Sequence, residues 1–403
     1  MAVDFPSSPT PGQVYTQAGA TWTFDGVKWV AQGTGTGIYL PLAGGVMTGD
    51  ITLKGDPSAP LHPVTYRMVS NPNDNRIING DFRIDQRNGG ASSGAIGYTV
   101  DRWQYYSVQA SKGTWGQNLN AVAAPSMFPY YFGFKSSSAY ASLATDQFMI
   151  MQAIEADAVS DFAWGTPQAQ PVTLSFWAYS SLTGTFSGAL RNLTGNRSYP
   201  FAYSIPSANT WIKITITVAG DTVGPWVMSG NGGAVNLNFD LGTGSTYRAA
   251  ANVWTSASYV SGATGSQNVV ATNGATFYVT GVKLEIGSVA TPFNRQSLAK
   301  SMADCQRYYQ KLGGITAADI LVQGYAVTAG AGGPVSSTIG FSTMRAAPTA
   351  TAAGTWVFTN TSAIAGLFPS LNTLGFQLVG NVAGWVSANT SNTTTYISLS
   401  AEL

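Results

Sequence analysis

The sequence predicts a mainly β chain in which a thin intertwined strip near the N-terminus leads to two β-sandwich domains. Three observations carry that expectation. Apolar and polar residues alternate in short runs such as Trp211-Ile-Lys-Ile-Thr-Ile-Thr-Val218, the period of a half-buried strand. Gly, Asn, Ser and Pro separate the runs and mark turns. Charged residues make up 9% of 403 positions while aromatics reach 12%, so the surface must be built largely from neutral hydroxyl and amide side chains.

Composition also excludes function classes. The formal net charge is +1 and no Lys/Arg run occurs, so the electrostatic footprint of nucleic-acid binding is missing. Cys305 is the only cysteine, which rules out an intrachain disulfide. No apolar run is long enough for a membrane-spanning helix, and Met1-Ala2-Val3-Asp4 does not open a signal peptide; synthesis in a cytoplasm, without membrane insertion, is the expectation. A chain this long holds roughly two to four folding units. Durability outside a cell, without disulfides, would have to come from an interlocked oligomer.

Residues 1–33 are read as a small hairpin module, because Asp25-Gly26 separates two aromatic alternating runs and signals a two-residue turn. A module of this size cannot support its own core and should dock or trimerise. Residues 34–75 follow as a shaft with a short helix. Its strip Tyr39-Leu40-Pro41-Leu42-Ala43-Gly44-Gly45-Val46-Met47-Thr48-Gly49-Asp50-Ile51-Thr52-Leu53 carries too little apolar surface to order itself, since each residue fixed costs about 1–2 kcal/mol. It becomes stable if identical copies bury Leu40, Leu42, Val46, Ile51 and Leu53 against one another. The wording resembles the shaft motif of bacteriophage tail fibres, which implies a homotrimer. The hairpin module is similar to units near the ends of phage tail proteins, which implies attachment to a virion baseplate or tail protein. Leu61, Val64 and Met68 have helical spacing, and His62, the sole histidine, has no neighbours that would make it a base or a metal ligand.

Residues 76–295 form the largest unit, rich in period-two runs such as Val172-Thr-Leu-Ser-Phe-Trp-Ala-Tyr179. Arg76-Ile77-Ile78-Asn79-Gly80-Asp81-Phe82 opens it, Leu174-Ser175-Phe176-Trp177-Ala178 lies within it, and Gly281-Val282-Lys283-Leu284-Glu285-Ile286-Gly287 closes it. This ordered set resembles the jelly-roll domain of phage tail and receptor-binding proteins, itself similar to carbohydrate-binding modules. Asn294-Arg295-Gln296 departs from the Glu-Arg-Arg usual there, which affects the ion pairs formed at that point. Residues 296–312 read as one amphipathic helix through Leu298, Met302, Cys305, Tyr309 and Leu312, ended by Gly313-Gly314, with Cys305 a small buried hydrophobe. Residues 313–403 are a nearly uncharged β tip domain, and Arg345-Ala-Ala-Pro348 resembles a turn in the terminal domains of similar tail proteins.

No catalytic residues are expected. Glutamate occurs only at 155, 285 and 402, and the cluster Glu155, Asp157 and Asp161 reads first as a solvated turn and second as a calcium site, the one cofactor considered. Nucleophile elbows, phosphate loops and CxxC pairs are absent. Binding is better supported, because sugar rings lie on aromatic faces while Asn, Gln or Asp meets their hydroxyls. The carbohydrate-binding set is Trp115, Tyr130, Tyr131, Trp226 and Trp254 in the sandwich, with Trp356, Phe368 and Trp385 in the tip, the last beside Asn389. Trp103 and Trp177 are expected in the core. The resemblance implies a homotrimeric tail fibre or receptor-binding protein in the virion tail, made in the host cytoplasm and bound to host surface polysaccharide. Two alternatives are a tail-spike glycosidase or lyase and a structural connector to another tail protein.

Overall fold

A computed structural model describes residues 5–17, 20–32, 75–314, 319–330 and 334–403. The expected shaft, with Leu40, Leu42, Val46, Ile51 and Leu53, lies outside these residues, as does the short helix with His62. The chain divides into two compact units, Met1–Val64 and Thr65–Leu403. The described residues are mainly β, as the alternating pattern requires.

In the first unit, β1 (Val14–Gln17), β2 (Ala20–Phe24) and β3 (Trp29–Gln32) form an antiparallel meander in that order. Phe24 pairs with Trp29, so the turn holds residues 25–28 rather than two residues. The cause is local: Asp25 Oδ1 accepts the N–H groups of Val27 and Lys28, both at 2.9 Å, and Gly26 takes φ 102°. Phe5 stacks on Trp29 at 5.2 Å and meets Trp22 edge-on at 5.4 Å. None of residues 5–17 and 20–30 is buried, which fits the expectation that so small a module lacks a core.

The second unit begins with a β-sandwich. One sheet has six strands in the order β11-β10-β13-β8-β5-β4, all antiparallel: Ser198–Ile205, Gly184–Asn192, Gly233–Asp240, Phe148–Glu155, Gln104–Ser107 and Gly97–Tyr98. The other has five, β12-β9-β16-β7-β6: Ile212–Val218, Val172–Ser180, Thr276–Ile286, Phe132–Ser136 and Gly113–Gln117. Two short strands, β14 (Arg248–Ala249) and β15 (Gly262–Ala263), pair in parallel beside them. Inward residues of both sheets, among them Leu174, Phe176, Leu237, Phe239, Phe277 and Val279, make one core. The opening motif anchors it. Trp103 is fully buried, packs at 4.9 Å on Phe82 and donates its indole N–H to the Asn79 carbonyl. Gly80 must be glycine, because a Cβ there would sit 2.1 Å from the Val282 carbonyl oxygen. Trp177 is not in the core. Phe176 and Ala178 point inward, so the strand's period of two turns Trp177 outward.

The helix is shorter than its apolar spacing predicts. It spans Leu298–Gln306 (α1), capped by Ser297 Oγ, which accepts the Lys300 N–H at 3.2 Å. Cys305 is buried, as expected, and burial pushes its thiol well up. Tyr309–Leu312 is instead a strand, β17, paired with β25 (Tyr396–Ser400). Tertiary pairing has overridden local periodicity there.

The tip domain contains three sheets of three strands: β17-β25-β20, β18-β24-β21 and β19-β23-β22. The remaining ranges are β18 Ile320–Ala326, β19 Pro334–Gly340, β20 Thr349–Ala353, β21 Trp356–Thr359, β22 Ile364–Pro369, β23 Thr373–Val379 and β24 Gly384–Thr390. They enclose a second core that includes Val322, Leu374, Phe376, Val386 and Ile397. Between the two cores sits Glu402, 5% exposed, which pairs with Arg87 at 3.0 Å and with fully buried Arg102. Those two guanidiniums lie on the rings of Tyr309 and Tyr308, at 3.6 and 3.4 Å from the centroids. Arg345, in the expected turn, donates to the carbonyls of Asn231 and Glu402 and so ties the domains together.

Candidate functional site

On β24 the side chains of Val386 and Ala388 enter the tip core, so Trp385, Ser387 and Asn389 face outward. On β18, Tyr325 lies opposite Trp385 and Gln323 opposite Ser387. Gly324, between them, lets β19 approach: a Cβ there would meet Val335 at 2.4 Å. On β21, Thr359 lies opposite Ser387 and Val357 opposite Asn389. The result is a flat strip with two rings at one end and hydroxyl and amide groups behind them. Trp385 is 66% exposed and Tyr325 57%, with centroids 5.9 Å apart, edge to face. Asn389 Oδ1 has no hydrogen-bond partner among the described residues. That atom is buried, so the unusual observation at the surface is the aromatic pair left in water, since folding normally covers such rings. Chemically, the strip can stack an apolar ring face and exchange hydrogen bonds with its edge.

The other aromatics proposed from sequence are placed differently. Trp115 is buried in the sandwich, stacks on Phe132 and donates its indole N–H to the Ala95 carbonyl at 2.8 Å. Tyr131 is buried with Tyr179 and Tyr278 under residues 119–124; burial pushes its hydroxyl up to about 12, and it donates to the Leu119 carbonyl at 2.7 Å. Neither offers a ring face to solvent, which corrects the expectation for both. Tyr130 is half-buried and lines a cavity of about 510 Å³ with Leu298 and Met302. Trp226 and Trp254 are half-buried and pack edge-on against buried Trp164, at 4.8 and 5.1 Å. Their indole N–H groups are already donated, to Asp221 and to the Ala219 carbonyl. Trp356 is half-buried and turned inward, 6.4 Å from Phe376. Phe368 on β22 is 61% exposed, and of the eight only Trp385, at 66%, is more so. Tyr325 escaped sequence reasoning because its neighbour is 60 positions away in the chain and only strand register joins them.

The acidic residues do not converge. Glu155 is buried and holds Arg307 at 2.9 Å, so it is no part of a solvated turn. Asp157 accepts the Gly230 N–H, and Asp161 pairs with Arg76 at 2.6 Å. Glu285 pairs with Lys283 at 3.1 Å and accepts from Thr291. In the departing segment, Arg295 forms its ion pair with Asp81, at 2.9 Å. Among the described residues, no group of three or more His, Cys, Asp or Glu side chains is placed to hold a metal ion. Among the described residues, no helix is long and apolar enough to cross a membrane.

No family model matches the chain, and no curated protein matches it. Solved structures do show partial likeness. The enzymatically active domain of tailspike protein 4 from bacteriophage CBA120 is similar over 54% of this chain at 15% identity and a TM-score of 0.30; the chain spans only 22% of that protein's length. A putative sugar-binding protein from Bacteroides thetaiotaomicron matches over 53% of this chain and 100% of its own, at 12% identity and a TM-score of 0.30. The family 11 carbohydrate-binding module of a Clostridium thermocellum cellulase matches over 49% and 98%, at 14% identity and a TM-score of 0.24. At these scores the likeness carries no functional weight for this chain.

Proposed function

We propose that the protein binds glycans through the outward face of β18, β24 and β21, as the receptor-binding tip of a phage tail fibre. The observation that carries this reading is the exposed Trp385–Tyr325 pair, held in cross-strand register beside Gln323, Ser387 and Asn389. The rings would cover the CH face of a sugar while the amides and hydroxyls meet its hydroxyl groups. The phage context rests on the wording of residues 39–53 and of the opening and closing motifs of the sandwich. In that context three copies entwine through residues 34–75, the hairpin module joins a baseplate or tail protein, and the protein resides in the virion tail. Trivalent display lets weak single sites hold a particle by avidity.

The test is adsorption of purified protein to host cells and to a glycan array. Trp385→Ala with Tyr325→Ala should remove binding while leaving stability within about 0.5 kcal/mol, because both side chains are largely exposed. Undiminished binding by the double variant would refute this face as the receptor site.

A further inference from the structure

The outer face of the five-stranded sheet is covered at both ends and open between them. Along β9, Tyr179, Trp177 and Ser175 point outward in turn. Tyr179 lies with Tyr131 and Tyr278 under residues 119–124, where Asn120 Nδ2 donates to the Tyr278 hydroxyl at 2.6 Å. At the other end Thr291 and Pro292 close over Lys283 and Glu285. Lys283 Nζ donates to the Pro292 carbonyl at 3.3 Å, and the Thr291 N–H to Glu285 Oε1 at 2.8 Å. Trp177 stands in the gap, half-buried, with exposed Lys213 of β12 directly opposite.

A cleft of about 110 Å³ opens beside that ring, walled by Met127, Phe128, Pro292 and Phe293. The backbone shapes its floor. A bulge interrupts the register of β16 with β9 between Thr280 and Lys283, and Gly281 within it takes φ +62°. A Cβ there would sit 2.5 Å from the Phe128 ring, which packs edge-on against Phe293 at 5.2 Å. Met127, at the mouth, is 57% exposed.

The free polar groups at this opening are donors. Among the described residues the Trp177 indole N–H and the Lys213 ammonium have no hydrogen-bond or ion-pair partner, whereas the indoles of Trp226 and Trp254 are already engaged. The atoms that answer them are therefore acceptors, and the one that answers Lys213 is anionic. The cleft is apolar and far smaller than the roughly 300–1,000 Å³ of pockets that enclose a whole small molecule, so it takes one apolar substituent of something lying across its rim. β9 is paired on both sides, with β12 and β16, so a peptide cannot add there as a strand and would find side chains alone. The exposed part of the Trp177 ring suits the CH groups of a sugar.

We propose that this cleft is a second binding site, for an acidic sugar that carries an acyl group, such as an N-acetylated acidic residue of a polysaccharide. Its carboxylate takes the Lys213 ammonium, its acyl carbonyl accepts the Trp177 N–H, and its methyl enters the cleft between Phe128 and Phe293. A uronic acid without the acyl group would leave the cleft and the indole unanswered; a neutral N-acetyl sugar would leave the lysine. The site is on the sandwich, separate from the Trp385 face, and does not rest on that reading.

The experiment is calorimetric titration of the full chain carrying Trp385→Ala and Tyr325→Ala, so that the tip face does not contribute and the two readings fail separately. Four oligomers of equal length are the probes. N-acetylneuraminic acid carries both groups, galacturonic acid the carboxylate alone, N-acetylglucosamine the acetyl alone, and galactose neither. The first should bind at least about tenfold more tightly than each of the others, the scale of a charge-assisted hydrogen bond. Lys213→Gln, at an exposed position, should bring its affinity down to that of the N-acetylglucosamine oligomer. Trp177→Phe keeps a ring and removes the N–H, and should bring it down to that of the galacturonic acid oligomer; where this variant fails to fold, Lys213→Gln decides. No binding of the N-acetylneuraminic acid oligomer, a smaller preference for it, or an affinity unchanged by Lys213→Gln would overturn the proposal. So would tighter binding of a hexapeptide bearing glutamate and leucine, which would make the cleft a docking point for protein.

Discussion

Arg102 and Arg191 are two buried guanidiniums in the same sandwich, 1% and 8% exposed, with opposite surroundings. Burial alone would depress both. At the junction with the tip domain, Glu402 and the Tyr308 ring outweigh it, and the pKa of Arg102 is raised; on the outer sheet face nothing does, and that of Arg191 is lowered. The difference teaches that burying a charge does not reveal its role, whereas its partner does. A matched buried pair fixes how two domains meet, whereas an unmatched one is held by neutral acceptors alone, here the Tyr259 carbonyl and Ser261 Oγ.

The largest effect should come from breaking the matched pair. Glu402→Gln leaves Arg102 buried without a counter-charge and should cost about 3–5 kcal/mol in denaturant unfolding. A loss below about 1 kcal/mol would end the contrast between the two arginines. Next is the neighbouring acid. Burial pushes Asp101 up to about 6 against an ordinary 3.8, in spite of the hydrogen bonds from Gln86. The folded state therefore holds this proton more tightly than the unfolded state. The stability it contributes is complete below about pH 4 and is lost as pH rises through about 6. Asp101→Asn should remove up to about 3 kcal/mol of that pH dependence, read as Tm across pH 4–7. A variant profile parallel to the wild type would place the titration elsewhere. The smallest effect belongs to the unmatched arginine: Arg191→Met orphans no carboxylate and should change unfolding free energy by about 1 kcal/mol or less, in either direction. A loss comparable to Glu402→Gln would mean that Arg191 is structural after all.

What the sequence revealed and what it hid follow the same division between local and distant. The mainly β class, the presence of a turn at Asp25-Gly26 though not its four-residue length, and the start of the helix to within two residues follow from near neighbours and could be read from spacing, whereas the burial of Trp103 is expected from the motif that holds it and is achieved by the distant Asn79 and Phe82. Trp385 and Asn389 could be linked because four positions along a strand return to the same face. Tyr325 and the strand character of 309–312 depend on which distant strand lies alongside. The inward turn of Trp115 and the pairing of Glu155 with Arg307 depend on the packing of separate segments. Arg191 gave no signal, because an arginine within a strand usually marks a solvated edge, and its isolation is visible only once every nearby carboxylate has been assigned to another cation.

The pairing of β25 with both β17 and β20 sets an order on assembly. Until residues 396–400 are in place, the strand that follows the helix and the strand from 349–353 have no middle partner, and Glu402 cannot be delivered between the two arginines that await it. Cleavage within the loop at 391–395 would thus do more than trim a surface turn. It would free β25 and Glu402 from covalent linkage to the tip, so the domain that carries Trp385 would hang from the sandwich by the chain around α1 and β17 alone.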